Sequence, residues 1–315
     1  MRRLPAFVAV TALAGFGLVG CSASAASSCP APTSDARLDD LVTVSGDFGE
    51  IPDVELRTPF VAEDRSVETV IQGGGTRITE ADQTVLLDLT VYNGETGERI
   101  VSSRYDGNTQ NAQPLSVWDQ TFPDFSGALL CATEGSRLVV SLPYDSVGEQ
   151  AATGLGIPAG GSAVVVADVR RAYLAAADGA DQYTSGFGLP SVVRAPDGQP
   201  GVTIPDGDAP SDVVVQTLKK GDGAEVTADA ITRVHVLGVG WTDRRQFVST
   251  WDTAPVAVQP SQLPESVASA LEGQTVGSQV LVVVPADDTT EEQSAFRAPA
   301  DTALVFVIDV LGVDD

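Results

Sequence analysis

The sequence predicts an α+β, mainly β protein made of two similar units, and three observations carry that expectation. Short runs rich in Val, Ile and Leu are bounded by Gly, Pro and Asp, the composition of strands closed by turns. Apolar residues almost never recur at helical spacing. The order of turns and runs in the first half then returns in the second.

The runs predict strands over 85–92, 138–142 and 163–169, and again over 231–239, 280–284 and 304–311. One short helix fits 262–271, where Leu263, Val267, Ala270 and Leu271 share a face, and its counterpart in the first half is 124–131. Gly73-Gly74-Gly75 and Gly221-Asp222-Gly223 head matching turns. Glu134-Gly135-Ser136 opens a strand that ends at Pro143-Tyr144-Asp145, as Val276-Gly277-Ser278 opens one that ends at Pro285-Ala286-Asp287. Pro158-Ala159 and Pro299-Ala300 precede the last strand of each half. Two copies follow, over 41–175 and 190–315, joined by 176–189, in which Asp178-Gly179-Ala180-Asp181 reads as the exposed part.

Ahead of these lies a cationic head, Arg2-Arg3, then an uncharged apolar stretch over 4–20 that ends Leu18-Val19-Gly20-Cys21. That is the pattern of a secretory signal, and its glycine-rich apolar run falls short of the ~20 residues of a spanning helix. The Leu-Val-Gly-Cys end resembles the lipobox of bacterial lipoproteins. The resemblance implies a signal peptide over 1–20, lipidation of Cys21, and anchoring by acyl chains to the extracytoplasmic face of the cell membrane. The alternative is an ordinary secreted protein cut near the same place. Residues 21–40 start small and polar and read as a tether. Cys29 and Cys131 remain, either as a disulfide in an oxidising compartment or with Cys131 as a buried free thiol.

Loss of Arg2 and Arg3 from the 18 basic residues leaves 16 against 43 acidic ones, a net charge of −27. Such a surface argues against nucleic acid or anionic lipid as a partner. The familiar catalytic constellations are missing too. The one histidine, His235, sits between valines in a strand and reads as structural, and no Gly-x-Ser-x-Gly elbow occurs. Gly154-Leu155-Gly156 reads as a turn, and the acidic pairs and the Arg and Lys pairs read as solvated surface. No cofactor or metal is expected.

An ordered series in the second half is more specific: Val234-His235-Val236-Leu237-Gly238, Trp241-Thr242-Asp243, Phe247-Val248-Ser249, Gly277-Ser278, Val284-Pro285 and Leu304-Val305-Phe306-Val307-Ile308-Asp309-Val310. Residues 212–313 resemble an FKBP-type peptidyl-prolyl cis-trans isomerase domain, and 68–170 resemble a more divergent copy. The resemblance implies a bent antiparallel sheet wrapped on one short helix, with an apolar cleft between them. It places Phe247 and Phe306 on the wall of the second cleft, with Val236 and Val248 where the family has a tyrosine and an aspartate. Val267 stands at the family's floor tryptophan, and the later tyrosine-glycine loop is missing around 287–296. In the first copy the resemblance places Phe125 on the floor and Ile157 beside Pro158. Ile100 and Val165 take the wall positions there, with Asp88 and Val101 at the polar pair. Phe247, Phe306, Phe125 and Ile157 are therefore the expected site residues.

Such a cleft rotates the X-Pro bond without nucleophile or metal, so the missing constellations do not oppose it. The expected function is an envelope-anchored isomerase acting on unfolded or proline-containing exported polypeptides. The alternative is a non-catalytic chaperone or scaffold of the same fold that binds extended segments, and a third reading is a purely structural envelope protein.

Overall fold

The computed structural model describes residues 36–184 and 186–314; the signal segment, Cys21 and Cys29 lie outside the described residues. The first half runs α1 (Ala36–Leu41), β1 (Val42–Ser45), β2 (Asp53–Leu56), β3 (Ser66–Ile71), β4 (Thr84–Asn93), β5 (Arg99–Ser102) and β6 (Gln113–Pro114). It continues with α2 (Phe125–Leu129), β7 (Arg137–Pro143), α3 (Tyr144–Val147), α4 (Glu149–Gly154) and β8 (Ser162–Ala172). The second half contributes β9 (Ala180–Asp181), β10 (Ser191–Arg194), β11 (Pro200–Thr203), β12 (Val214–Lys220), β13 (Ile231–Gly240), β14 (Gln246–Ser249) and β15 (Val256–Val258). Then come α5 (Glu265–Leu271), β16 (Gln279–Val284), α6 (Thr290–Phe296) and β17 (Leu304–Asp314).

Two antiparallel sheets result, ordered β3-β7-β8-β4-β5 and β12-β16-β17-β13-β14, with β6 on β4 and β15 on β13 as matching additions. Their irregularities match as well. Extra residues bulge the ladders at Val70 and Leu218, at Ile100 and Phe247, and at Arg170 and Leu311. Gly73 and Gly221 sit in equivalent tight corners, where an added Cβ would lie 2.2 Å from the Glu134 carbonyl oxygen and 2.0 Å from that of Val276. The tandem, mainly β fold read from the sequence is the one observed.

Each sheet is covered on both faces, which the expectation of one sheet on one helix did not include. The inner face of the first sheet packs on α2 through Leu87, Leu89, Val140, Val165, Phe125 and Leu129. Its outer face carries α1 and the β1–β2 hairpin, with Leu38, Val42 and Phe60 against Tyr92, Val139 and Val164. In the second unit α5 fills the inner side, and the β10–β11 hairpin covers the outer one with Val192, Val202 and Ile204 near Leu281, Val305 and Val307. All ten residues of β4 and all of β17 are buried for this reason. Each fully buried Leu or Val contributes about 1.5–3 kcal/mol relative to exposure, so two covered faces roughly double what one sheet can gain.

The helices are shorter than the apolar pattern suggested. Pro264 lacks an N–H and caps the start, so α5 begins at Glu265, and Gln262 belongs to a separate 3-10 turn. Asp124 has φ 59° and Cys131 φ 73°, left-handed conformations that bound α2 on either side. Cys131 is disulfide-bonded, with its partner outside the described residues. Exposed though it is, the segment from 178 to 181 is held: Gly179 donates to the Gly277 carbonyl, and β9 pairs with Lys219 and Lys220 of β12. No helix among the described residues is long and apolar enough to cross a membrane.

Candidate functional site: an apolar cleft in the first unit

Inward-facing Leu89 and Val91 of β4 form one side of an open cleft of about 430 Å³, with Val101, Ser102 and Ser103 beside them at the end of β5. Trp118, Thr121 and Phe122 face them from the 3-10 turn Leu115–Gln120 and its exit. Ala151, Gly154 and Leu155, from α4 and its exit, complete the rim. Not one ionisable side chain lines the cleft. Local chemistry explains the parts. The β5 bulge at Ile100 keeps Val101 paired with Val91, and Asp119 fixes the turn into α2 by accepting from the Ser126 N–H and hydroxyl, both at 2.7 Å. The indole Nε1 of Trp118 is buried without a hydrogen-bond partner among the described residues.

Two expected residues lie directly beneath this surface. Phe125 is 0 % exposed and packs on Phe122 with ring centroids 5.6 Å apart at 50°, and Ile157 is buried in the same cluster. Both support the cleft from below, while Phe122, itself only 3 % exposed, reaches the lining. Val165 is fully buried and Ile100 packs against the core. The placement of Asp88 at the family tyrosine needs correction by one residue. Val236 pairs with Ile308 and His235 with Asp309 in the second sheet, whereas Leu89 pairs with Ala167 and Asp88 with Asp168 in the first. Leu89 is thus the counterpart of Val236. Asp88 is counterpart to His235 and points away from the cleft, accepting from Ser103 Oγ at 2.6 Å and Arg170 Nη1 at 2.9 Å.

The second unit assembles its aromatics differently. Phe247 meets Phe306 edge-on, with ring centroids 5.5 Å apart at 90°. Phe306 is nevertheless 0 % exposed, because Phe296 of α6 packs on it at 5.2 Å. Val236, Val267, Leu263 and Ala298 complete that apolar cluster. Phe296 went unrecognised because the segment before it, Thr-Glu-Glu-Gln-Ser-Ala, is polar and gives no hint that its last residue turns inward.

His235 lies on the outer side of its sheet, where it stacks on Trp251 at 4.2 Å and 18°. Its Nδ1 is 2.8 Å from Thr250 Oγ1, and burial pushes its pKa down to about 4, so the ring is neutral near pH 7. That is a packing role.

No known family profile matches the chain. A probable FK506-binding protein of Corynebacterium glutamicum is 28 % identical over 118 residues, 36 % of this chain and 97 % of the relative. An FK506-binding protein of Streptomyces anulatus is 27 % identical over 121 residues, again 36 % of this chain and 97 % of the relative. The chain is related to the FKBP-type peptidyl-prolyl isomerases. Each relative has the length of one FKBP-like unit of this chain. Among solved structures, a wheat protein with three FKBP domains aligns over 79 % of this chain and 94 % of its own length, at 14 % identity and a TM-score of 0.34.

Proposed function

We propose that this chain is a peptidyl-prolyl isomerase whose working cleft is the apolar one in the first FKBP-like unit, acting on exported polypeptides from a lipid anchor at Cys21. The observation that carries the reading is the cleft itself, open and lined by Leu89, Val91, Val101, Trp118, Phe122 and Leu155 without a charged group.

Rotation about X-Pro is opposed by a barrier of ~20 kcal/mol that comes from amide resonance. The planar amide carries separated charge, which water stabilises; the twisted amide has lost that separation and suffers less from being dry. An apolar cleft therefore favours the twisted state over the planar one, and differential binding of that kind lowers a barrier. Phe122 and Trp118 offer flat apolar surfaces against the proline ring, and Leu89 and Val101 exclude water from the preceding carbonyl. The chain's own contribution is shape and dryness, with no proton or covalent bond transferred. The anchor and the signal before it would keep this cleft where newly exported chains emerge.

Protease-coupled isomerisation measured on a soluble form beginning at Ser22, which keeps Cys29, tests the reading. Acceleration that Phe122→Ala abolishes is the expected result. Saturable binding of a proline peptide without acceleration would instead identify a non-catalytic chaperone, and the enzyme reading would be lost. For the anchor, Cys21→Ala should release the chain from the membrane fraction; retention would mean that something else holds it.

A further inference from the structure

The two units meet through a buried polar contact that reaches the loop joining the walls of the first cleft. Residues 104–112 run from Ser103 on one wall to the segment that carries Trp118 on the other. Within the first unit this loop is tied back by the Tyr105 hydroxyl, 2.8 Å from Thr90 Oγ1. Its lower end is continuous with the cleft: Ser103 N–H donates to the Leu89 carbonyl, and Leu89 N–H donates to Ser103 Oγ.

Arg233 of β13 approaches the loop from the second unit. Its side chain is almost wholly buried, and Nη2 donates to the Thr109 carbonyl at 2.6 Å. That carbonyl also accepts from Ala112 N–H at 3.0 Å, closing the 3-10 turn Thr109–Asn111. The guanidinium is itself fixed: its carbon lies 5.1 Å above the Tyr173 ring, and Nε is 3.7 Å from Asp314 Oδ2. Tyr173 donates its phenol to the other oxygen of Asp314, and Arg171 donates to the Val313 carbonyl, so these groups also bind the end of β8 to the end of β17. A Cβ on Gly312 would lie 2.5 Å from Tyr173, which shows how closely the units approach.

We propose that Arg233 is a positioning residue for the first unit's cleft: the second unit, sealed around Phe306, is a fixed platform that clamps the 104–112 loop and thereby the spacing of the cleft walls. The inference rests on the isomerase reading of that cleft. A charge-assisted hydrogen bond from a buried, pre-oriented guanidinium orders a loop that would otherwise lose more entropy on each binding event.

The test is hydrogen exchange on the full chain with R233M, which keeps the stem on Tyr173 and removes the donors, and R233K, which keeps a cation. Amides in 104–112 should exchange about tenfold faster in R233M and less so in R233K, while β7 and β8 keep their protection. KM for a proline peptide should rise several-fold with kcat held. Unchanged exchange in 104–112 overturns the proposal. So does faster exchange spread through β16 and β17, since Arg233 would then only hold its own unit together. Should R233M not fold, the comparison of R233K with the natural chain decides in the same way. Exchange needs no substrate, so a chain without isomerase activity still answers, and the two readings fail separately.

Discussion

Arg137 grips Asp168 with two nitrogens, Nε to Oδ1 at 2.6 Å and Nη2 to Oδ2 at 2.8 Å, and both side chains are essentially closed to solvent. The same guanidinium donates to the carbonyls of Gly46, Asp47 and Glu50, so one buried ion pair pins the β1–β2 turn to the sheet. The equivalent cross-strand slot of the second unit holds Gln279 and Asp309, whose amide donates to the carboxylate at 2.7 Å. Arg137→Met would leave Asp168 buried and uncompensated, a loss of about 3–5 kcal/mol. Arg137→Gln should cost less, because the second unit already runs on that pair. Urea unfolding of the two variants ranks them, and equal midpoints would contradict the argument.

Leu155 stands half-exposed on the rim of the cleft, so its replacement tests chemistry with little effect on packing. Leu155→Glu places a charge where the bound proline must be dry. Isomerisation kcat/KM should fall at least about tenfold while the thermal midpoint stays within a few degrees.

Phe306→Ala separates the two units. The residue is fully enclosed by Phe247 and Phe296, so truncation should cost about 3–5 kcal/mol of stability. The folded fraction should keep its isomerisation rate. A rate that drops in proportion to Phe122→Ala would instead place a working site in the second unit.

The repeat was legible because turns and bulges demand particular residues. Gly73 and Gly221 are obligatory where a Cβ would strike a carbonyl, and the prolines before β8 and β17 fix where those strands begin. Side-chain parity was not legible. A strand covered on one face alternates between buried and exposed, and its register can be read; β4 and β13 are covered on both faces and bury polar residues such as Asp88, Thr90 and His235 along with the apolar ones, so burial does not mark the face that meets the cleft. The one-residue slip between Asp88 and Leu89 follows from that. The covering hairpins were invisible for the opposite reason: Val-Thr-Val-Ser and Asp-Val-Glu-Leu are four residues each and carry too few apolar side chains to stand out. The cleft's own lining was missed because Trp118 comes from a 3-10 turn and Phe122 from its exit, where side chains follow neither the helical period nor the strand period.

The pH dependence of stability turns on His235 and Asp309, which face each other across β13 and β17. Burial holds the imidazole at about 4, below its ordinary 6.5, so the stability it contributes is present above pH 6.5 and is lost as pH falls through 4. Burial also lifts Asp309 from 3.8 to about 6, against the Ala177 N–H and the Gln279 amide that favour its charged form. The stability contributed by Asp309 is present below pH 3.8 and is lost as pH rises through 6. Between pH 4 and 6 the two therefore oppose each other. Glu68, raised to about 7 by burial and by Asp39, favours the acid side in every variant and cancels from the comparison. Relative to the natural chain, the profiles of the two single variants should tilt in opposite directions. His235→Gln should gain stability, relative to the natural chain, as pH falls from 6.5 to 4, by on the order of 2 kcal/mol. Asp309→Asn should lose a similar amount over the same interval. Urea midpoints at pH 7, 6, 5 and 4 read both slopes, and parallel profiles for the three proteins would show that neither group titrates as its burial requires.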